Sequence, residues 1–170
     1  MDVFDVIATK FDVREFRQND VPIDIKQNIL EAARLTGTGL NTQHWRFILV
    51  EDKDRLKRLA EDSTSGVWVA GANFAIIVLT NPKYKFHMID AGRVLQNMQL
   101  AAWNHGVASG LFTGIKDEKL RKDFGIPKEL NITLTAGFGY PAGKLTGRKK
   151  DRVPLKELVY YGEYDNPTRT

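Results

Sequence analysis

The most extended hydrophobic pattern in the chain runs from Met88 to Ile115. Ala91, Val94, Leu95, Met98 and Ala101 recur there at helical spacing, and Ile89, Leu100 and Trp103 form a second apolar row. Between Arg93 and Lys116 no side chain is formally charged; the polar residues of the helical part are the amides Gln96, Asn97, Gln99 and Asn104. Amides can be buried, once hydrogen-bonded, at far lower cost than charges. A surface helix needs one apolar stripe. Two stripes predict a central helix covered on several sides, either by its own domain or by a second copy of the chain. Gly106 is placed to cap that helix, and Val107 to Phe112 reads as a short strand entering the turn Thr113-Gly114. The amides and the glycine-rich second half exclude a membrane span.

The same reading predicts the remaining elements. Val3, Phe4, Ile7 and Ala8 mark a short amphipathic helix, followed by Lys10 to Phe16, where an extended segment puts Lys10, Asp12 and Arg14 on one face. Pro22 precedes a helix over Asp24 to Leu35, and a charged helix over Lys53 to Asp62 buries Leu56, Leu59 and Ala60. Between them lies the loop Thr36 to Trp45, then a strand from Arg46 to Glu51. The loop's glycines allow close approach of backbone to a ligand, and Asn41 and Gln43 offer donors and acceptors. It lacks the lysine and hydroxyl of a phosphate loop and leads into a strand. On spacing alone, a helix cap followed by a turn is the favoured reading. Val67-Trp68-Val69 begins a short helix, and Phe74 to Thr80 is a near-continuous apolar run expected at the centre of a sheet. Asp117 is placed to cap a helix ending at Phe124, Asn131 to Phe138 forms another strand, and Val153 to Tyr160 a further helical turn or strand. About four strands and five helices, without a repeated βαβ rhythm, predict an α+β layered domain.

Composition narrows the chemistry. With 170 residues the chain is most simply one domain, and it has no cysteine, which excludes disulfides, thiolate metal sites, iron–sulfur clusters and a cysteine nucleophile. His44, His87 and His105 show no paired ligand spacing, so no metal site is expected. No triad or clear acid–base pair stands out, and GxGxxG follows no strand. The N-terminus has no apolar leader, which points to the cytoplasm. The net charge of +4 is uneven: Lys144, Arg148, Lys149, Lys150, Arg152 and Lys156 crowd near one end, Lys10 and Arg14 near the other. Such an excess suggests an anionic partner without demanding nucleic acid.

In their order and intervals these segments resemble the FMN-dependent nitroreductase family, over about Val3 to Val159. Lys10-Phe11-Asp12-Val13-Arg14-Glu15-Phe16 sits where the family has Arg-Arg-Ser-x-Arg-x-Phe, and Asn41-Thr42-Gln43-His44-Trp45-Arg46-Phe47 is similar to its Asn-x-Gln-Pro-Trp-x-Phe. Asp90-Ala91-Gly92 with the amide-bearing helix and Gly106 looks like its central helix. Gly139-Tyr140-Pro141 and Lys150-Asp151-Arg152-Val153-Pro154-Leu155 look like its closing segment.

The resemblance implies a central, mostly antiparallel sheet flanked by helices in an intertwined homodimer. One FMN-binding domain would span residues 1–160, with a polar tail over 161–170. FMN would lie in two clefts at the subunit interface. Lys10, Lys150 and Arg152 would neutralise its phosphate, with Phe11 and Asp12 beside them, and Arg14 would lie near the pyrimidine edge of the isoalloxazine. Thr38, Gly39, Leu40, Asn41 and Gln43 would contact the flavin from the other subunit, and the backbone at Thr113-Gly114 would face flavin N5. The implied reaction is a two-step exchange. NAD(P)H delivers hydride to N5 and leaves; a nitroaromatic, a quinone or a similar electron acceptor then takes its place. No side chain is required as nucleophile or base.

Three residues depart from the family pattern: Asp12 stands for a serine, Phe11 for a second arginine and His44 for a proline. The short connection after Thr80 implies a more open site, and together these features point to weaker FMN binding or altered specificity. Two other readings remain. One is a flavoprotein of the same fold with different chemistry, such as dehalogenation or flavin fragmentation. The other is a polyanion-binding module using the basic C-terminal loop.

Overall fold

The computed structural model describes residues 1–145, 150–164 and 166. Arg148 and Lys149 of the basic loop, and residues 165 and 167–170 of the expected polar tail, lie outside the described residues. Four strands, β1 (Arg46–Val50), β2 (Phe74–Thr80), β3 (Ala108–Phe112) and β4 (Asn131–Gly139), form one sheet in the order β1-β2-β4-β3. Every neighbouring pair is antiparallel. Among the described residues five α-helices accompany it: α1 (Val3–Thr9), α2 (Ile23–Arg34), α3 (Lys53–Glu61), α4 (His87–Asn104) and α5 (Asp117–Phe124). The α+β architecture is the expected one.

The inner position of β2 explains its sequence, because all seven of its residues are buried. Its side chains still alternate. Ala75, Ile77 and Leu79 join a core with Leu56 and Leu59 of α3 and Leu120 of α5. Phe74, Ile76 and Val78 join the opposite core with Ile29 of α2 and Val94 and Met98 of α4. A continuous apolar run is thus a period-two pattern with both faces covered. Phe74 and its cross-strand partner Phe138 stack with ring centroids 4.9 Å apart.

The ends of α4 follow from local chemistry. Gly106 adopts φ +73°, its N–H bonds to the Trp103 carbonyl and the Val107 N–H to that of Ala102, which together close the helix. At α5 the expected cap differs. Asp117 is the first helical residue and Lys116 the cap, with no side-chain bond to the helix end. The Asp117 carboxylate instead accepts from Arg121 Nε at 2.7 Å, one turn on. The stretch expected from Val153 to Tyr160 contains a single 3-10 turn, Leu155–Glu157.

One face of α4 buries Ala91, Val94, Leu95, Met98, Gln99 and Ala102. The other, with Ile89, Gly92, Arg93, Gln96 and Asn97, is exposed, and Leu100 and Trp103 are half-buried. The second apolar row is therefore only partly covered by the chain itself. Among the described residues no helix is long and apolar enough to cross a membrane.

The segment after α1 runs beside β3. Asp12 pairs with Ser109 in a parallel bridge, and the Val13 N–H donates to the Ser109 carbonyl at 2.9 Å. Gly110 is required there: a Cβ would lie 2.5 Å from the Val13 carbonyl oxygen. Arg17 N–H to the Tyr140 carbonyl and Ala142 N–H to that of Glu15 then tie the segment to the turn after β4. The N-terminal segment is thereby fixed next to the chain leading to the C-terminal basic residues.

Candidate functional site

A cavity of about 470 Å³ is lined by Ile7, Lys10, Phe11, Asp12, Gln96, Lys150 and Arg152. Residues near both chain ends meet in it against the middle of α4. Lys10 Nζ lies 2.5 Å from Asp12 Oδ1 and 3.0 Å from Gln99 Oε1, and Gln99 Nε2 donates to the same Asp12 oxygen at 3.4 Å. Gln99 is buried. It ties Lys10 and Asp12 into one unit, with the Lys10 side chain largely enclosed and that of Asp12 half exposed. Lys150 Nζ donates to the Ile7 carbonyl near the end of α1 and sits 5.7 Å from the Phe11 ring centroid. That carbonyl belongs to the last turn of α1, whose terminal acceptors need partners from outside the helix. Burial pushes the Lys150 ammonium below the usual lysine range; Arg152 and Lys10 repel it further, and Asp12 opposes them. Arg152 is exposed and donates to the Asp151 carbonyl.

A neighbouring cavity of about 590 Å³ shares Asp12 and is lined also by Val13, Arg14, Glu15, Pro141, Gly143, Lys144 and Leu145. The Arg14 guanidinium lies 5.9 Å from the Trp68 ring centroid. Trp68 itself rests on the cross-strand pair Gly110 and Gly137, where a Cβ at Gly137 would come 2.8 Å from the indole. Its Nε1–H is buried without a partner in the protein. Trp68 is therefore a packing residue that also supports Arg14. Trp45 belongs to the core, and half-buried Trp103 donates to Thr9 Oγ1 at 3.0 Å.

The loop Thr38 to Gln43 lies near the start of α4 and lines neither cavity. Leu40, Asn41 and Gln43 have φ of 52°, 53° and 45°. Asparagine adopts this region readily; leucine does so at a cost of the order of 1–3 kcal/mol. Asp90, buried in the first turn of α4, holds the loop. Its carboxylate accepts from the Gly39 N–H at 3.1 and 3.3 Å and from His44 Nε2 at 3.2 Å, with Arg93 at 3.4 Å. His44 Nδ1 accepts from the Asn81 N–H at 3.3 Å. A backbone N–H can only donate, so the ring proton faces Asp90. The Thr38 hydroxyl accepts from the Gln43 N–H at 3.0 Å, and the Phe86 ring lies 2.6 Å from where a Gly39 Cβ would sit. The side chain of Leu40 points outward, 89% exposed.

The third expected group stands apart. Gly114 follows the far end of β3, where its carbonyl accepts from the Thr64 N–H and a Cβ would meet the Ser65 and Thr64 hydroxyls. The chain thus brings together Lys10, Phe11, Asp12, Lys150 and Arg152, with Arg14 next door. It holds Thr38, Gly39, Leu40, Asn41 and Gln43 separately, and Thr113-Gly114 separately again. Gln99 and Asp90 were not among the expected site residues. A signal for each existed: Gln99 is an amide within an uncharged helical stretch, and Asp90 belongs to the Asp90-Ala91-Gly92 segment that resembles the family's central helix.

The model of the Nitroreductase family matches residues 7–82 and 65–140 of the chain. An Archaeoglobus fulgidus protein, provisionally named NADH dehydrogenase/NAD(P)H nitroreductase, is 30% identical over 146 residues, covering 80% of this chain and 83% of the relative. Among solved structures, an FMN-dependent nitroreductase from Clostridium difficile superposes with a TM-score of 0.85 at 20% identity, covering 94% of this chain and 98% of that one. A Desulfovibrio desulfuricans protein, provisionally called a nitroreductase and solved with FMN, gives 0.83 at 26% identity, covering 94% and 95%.

Proposed function

The chain belongs to the nitroreductase family, and we propose that it is an FMN-dependent NAD(P)H oxidoreductase whose electron acceptor is a nitroaromatic, a quinone or a similar small molecule. The observation that carries this reading is the convergence of Lys10, Lys150 and Arg152 on one cavity. A phosphomonoester brings nearly two negative charges and three acceptor oxygens. Three cationic donors against one carboxylate fit it in charge and in hydrogen-bonding type, and charge-assisted bonds of this kind are the strong ones. Burial, and after it the nearby Arg152 and Lys10, disfavours the Lys150 ammonium, and an anion bound among these cations would favour its charged form.

Bound FMN would supply the hydride-transfer chemistry between NAD(P)H and the acceptor. The chain's own residues bind and orient. Lys10, Lys150 and Arg152 would hold the phosphate, and Arg14 offers a cation at the adjoining cavity, near which the family resemblance puts the pyrimidine edge. Asp90 and His44 fix the backbone of Thr38 to Gln43 for contact with the flavin. No proton-transferring side chain is needed.

A homodimer completes the site. The exposed face of α4 and the outward Leu40 and Ile89 support an arrangement in which the loop of one copy meets the cation cluster of the other.

The test is spectroscopic. Purified protein supplied with FMN should be yellow, should bleach anaerobically with NADH or NADPH, and should recover its colour on addition of a nitroaromatic or quinone. Protein that stays colourless in excess FMN contradicts the proposal. A panel of halogenated and nitro acceptors separates nitroreduction from dehalogenation on the same fold.

A further inference from the structure

Within that cavity Asp12 occupies the ground an anion needs. An ammonium has three N–H donors, and two of those on Lys10 are already directed at Asp12 Oδ1 and Gln99 Oε1. The Asp12 carboxylate faces the same space as Lys150 and Arg152. It is held there by Lys10, by Gln99 and by the backbone bridge to Ser109. Arg14 does not take part: it turns to the Trp68 ring. The protein therefore carries its own partial counter-anion inside its phosphate cluster.

Resting on the functional reading above, we propose that Asp12 determines how strongly the site discriminates for the phosphate of its flavin. Its carboxylate engages Lys10 and repels a phosphate dianion, so the pocket binds a phosphorylated flavin less tightly than its three cations alone would. The same carboxylate keeps those cations compatible while no phosphate is among them. FMN binding is thus an exchange of partners, in which Lys10 shifts from Asp12 towards the phosphate. Riboflavin, lacking the phosphate, is indifferent to Asp12.

The experiment is a fluorescence-quenching titration of the flavin-free full-length protein with FMN and with riboflavin, for the wild type, Asp12→Asn and Asp12→Ser. It is run above pH 7, where the phosphate, with a second ionisation near 6, is doubly charged. Both variants should bind FMN about tenfold more tightly than the wild type, the order expected for one charge-assisted contact released. Riboflavin affinity should stay within about twofold, which also reports that the variants remain folded. Agreement between the two variants excludes an effect of one replacement side chain. FMN affinity that is unchanged or weaker in both variants overturns the inference alone. A wild type that binds neither flavin overturns the inference together with the functional reading.

Discussion

The cation cluster packs against Gln96 and Gln99 of α4; the Thr38–Gln43 loop packs against Phe86 and Asp90, at the start of the same helix. The first is partly exposed and held by charge, with Lys10, Asp12, Lys150 and Arg152 brought together from both chain ends. The second is held by a buried His–Asp pair and by backbone in a conformation that leucine and glutamine rarely take. Exposed charges recognise an anion yet add little to stability, whereas a buried carboxylate that satisfies several donors is costly to remove. Substitutions in the cluster should therefore change binding and leave the fold intact. Substitutions around the loop should change the fold first.

Asp90→Ala should show the largest effect. It leaves the Gly39 N–H and buried His44 without their acceptor, and costs about 3 kcal/mol. A urea unfolding curve should give a lower midpoint at unchanged slope. Gly39→Ala comes next, because the new Cβ would sit inside contact distance of the Phe86 ring; about 2 kcal/mol is expected for such overpacking. Phe86→Leu in the same chain should recover part of it. Arg152→Ala should leave the unfolding midpoint unmoved and weaken FMN binding by about tenfold, about 1.4 kcal/mol. Lys156→Ala, outside the cavity, should change neither the midpoint nor the FMN affinity. If Arg152→Ala unfolds the protein, or Asp90→Ala affects flavin affinity alone, the contrast between the two regions is wrong.

The smallest effect is a pH dependence. The Lys150 ammonium is disfavoured in the folded protein, so protonation at this residue destabilises the fold at neutral pH. That penalty should fade as pH rises from the depressed value through the ordinary 10.5. Lys150→Met should flatten this part of the stability profile, and bound FMN should flatten it too.

The elements were legible because each rests on local chemistry. Phe74 to Thr80 and the end of α5 at Phe124 match the structure to the residue, and the charged helix from Lys53 ends one residue before the expected Asp62. The cation cluster was legible only through the family resemblance, since charge alone could not say that Lys10 and Lys150 share a cavity. The rest was hidden by distance along the chain. Gln99 reaches Lys10 across 89 positions, and His44 reaches Asp90 across 46. No periodicity links such pairs. Nothing in the sequence ties Trp68 to Gly110 and Gly137, which face each other across two strands. Positive φ was foreseeable at Asn41 and not at Leu40, because nothing about an exposed leucine announces a strained backbone.

A titration of the wild-type protein with FMN and with riboflavin, at low and at high salt, bears most directly on the claim that cations from both chain ends hold the cofactor's phosphate. FMN should bind at least about tenfold more tightly at low salt, and the advantage should shrink as salt screens the exposed charges. Equal affinity for the two flavins, insensitive to salt, would contradict it.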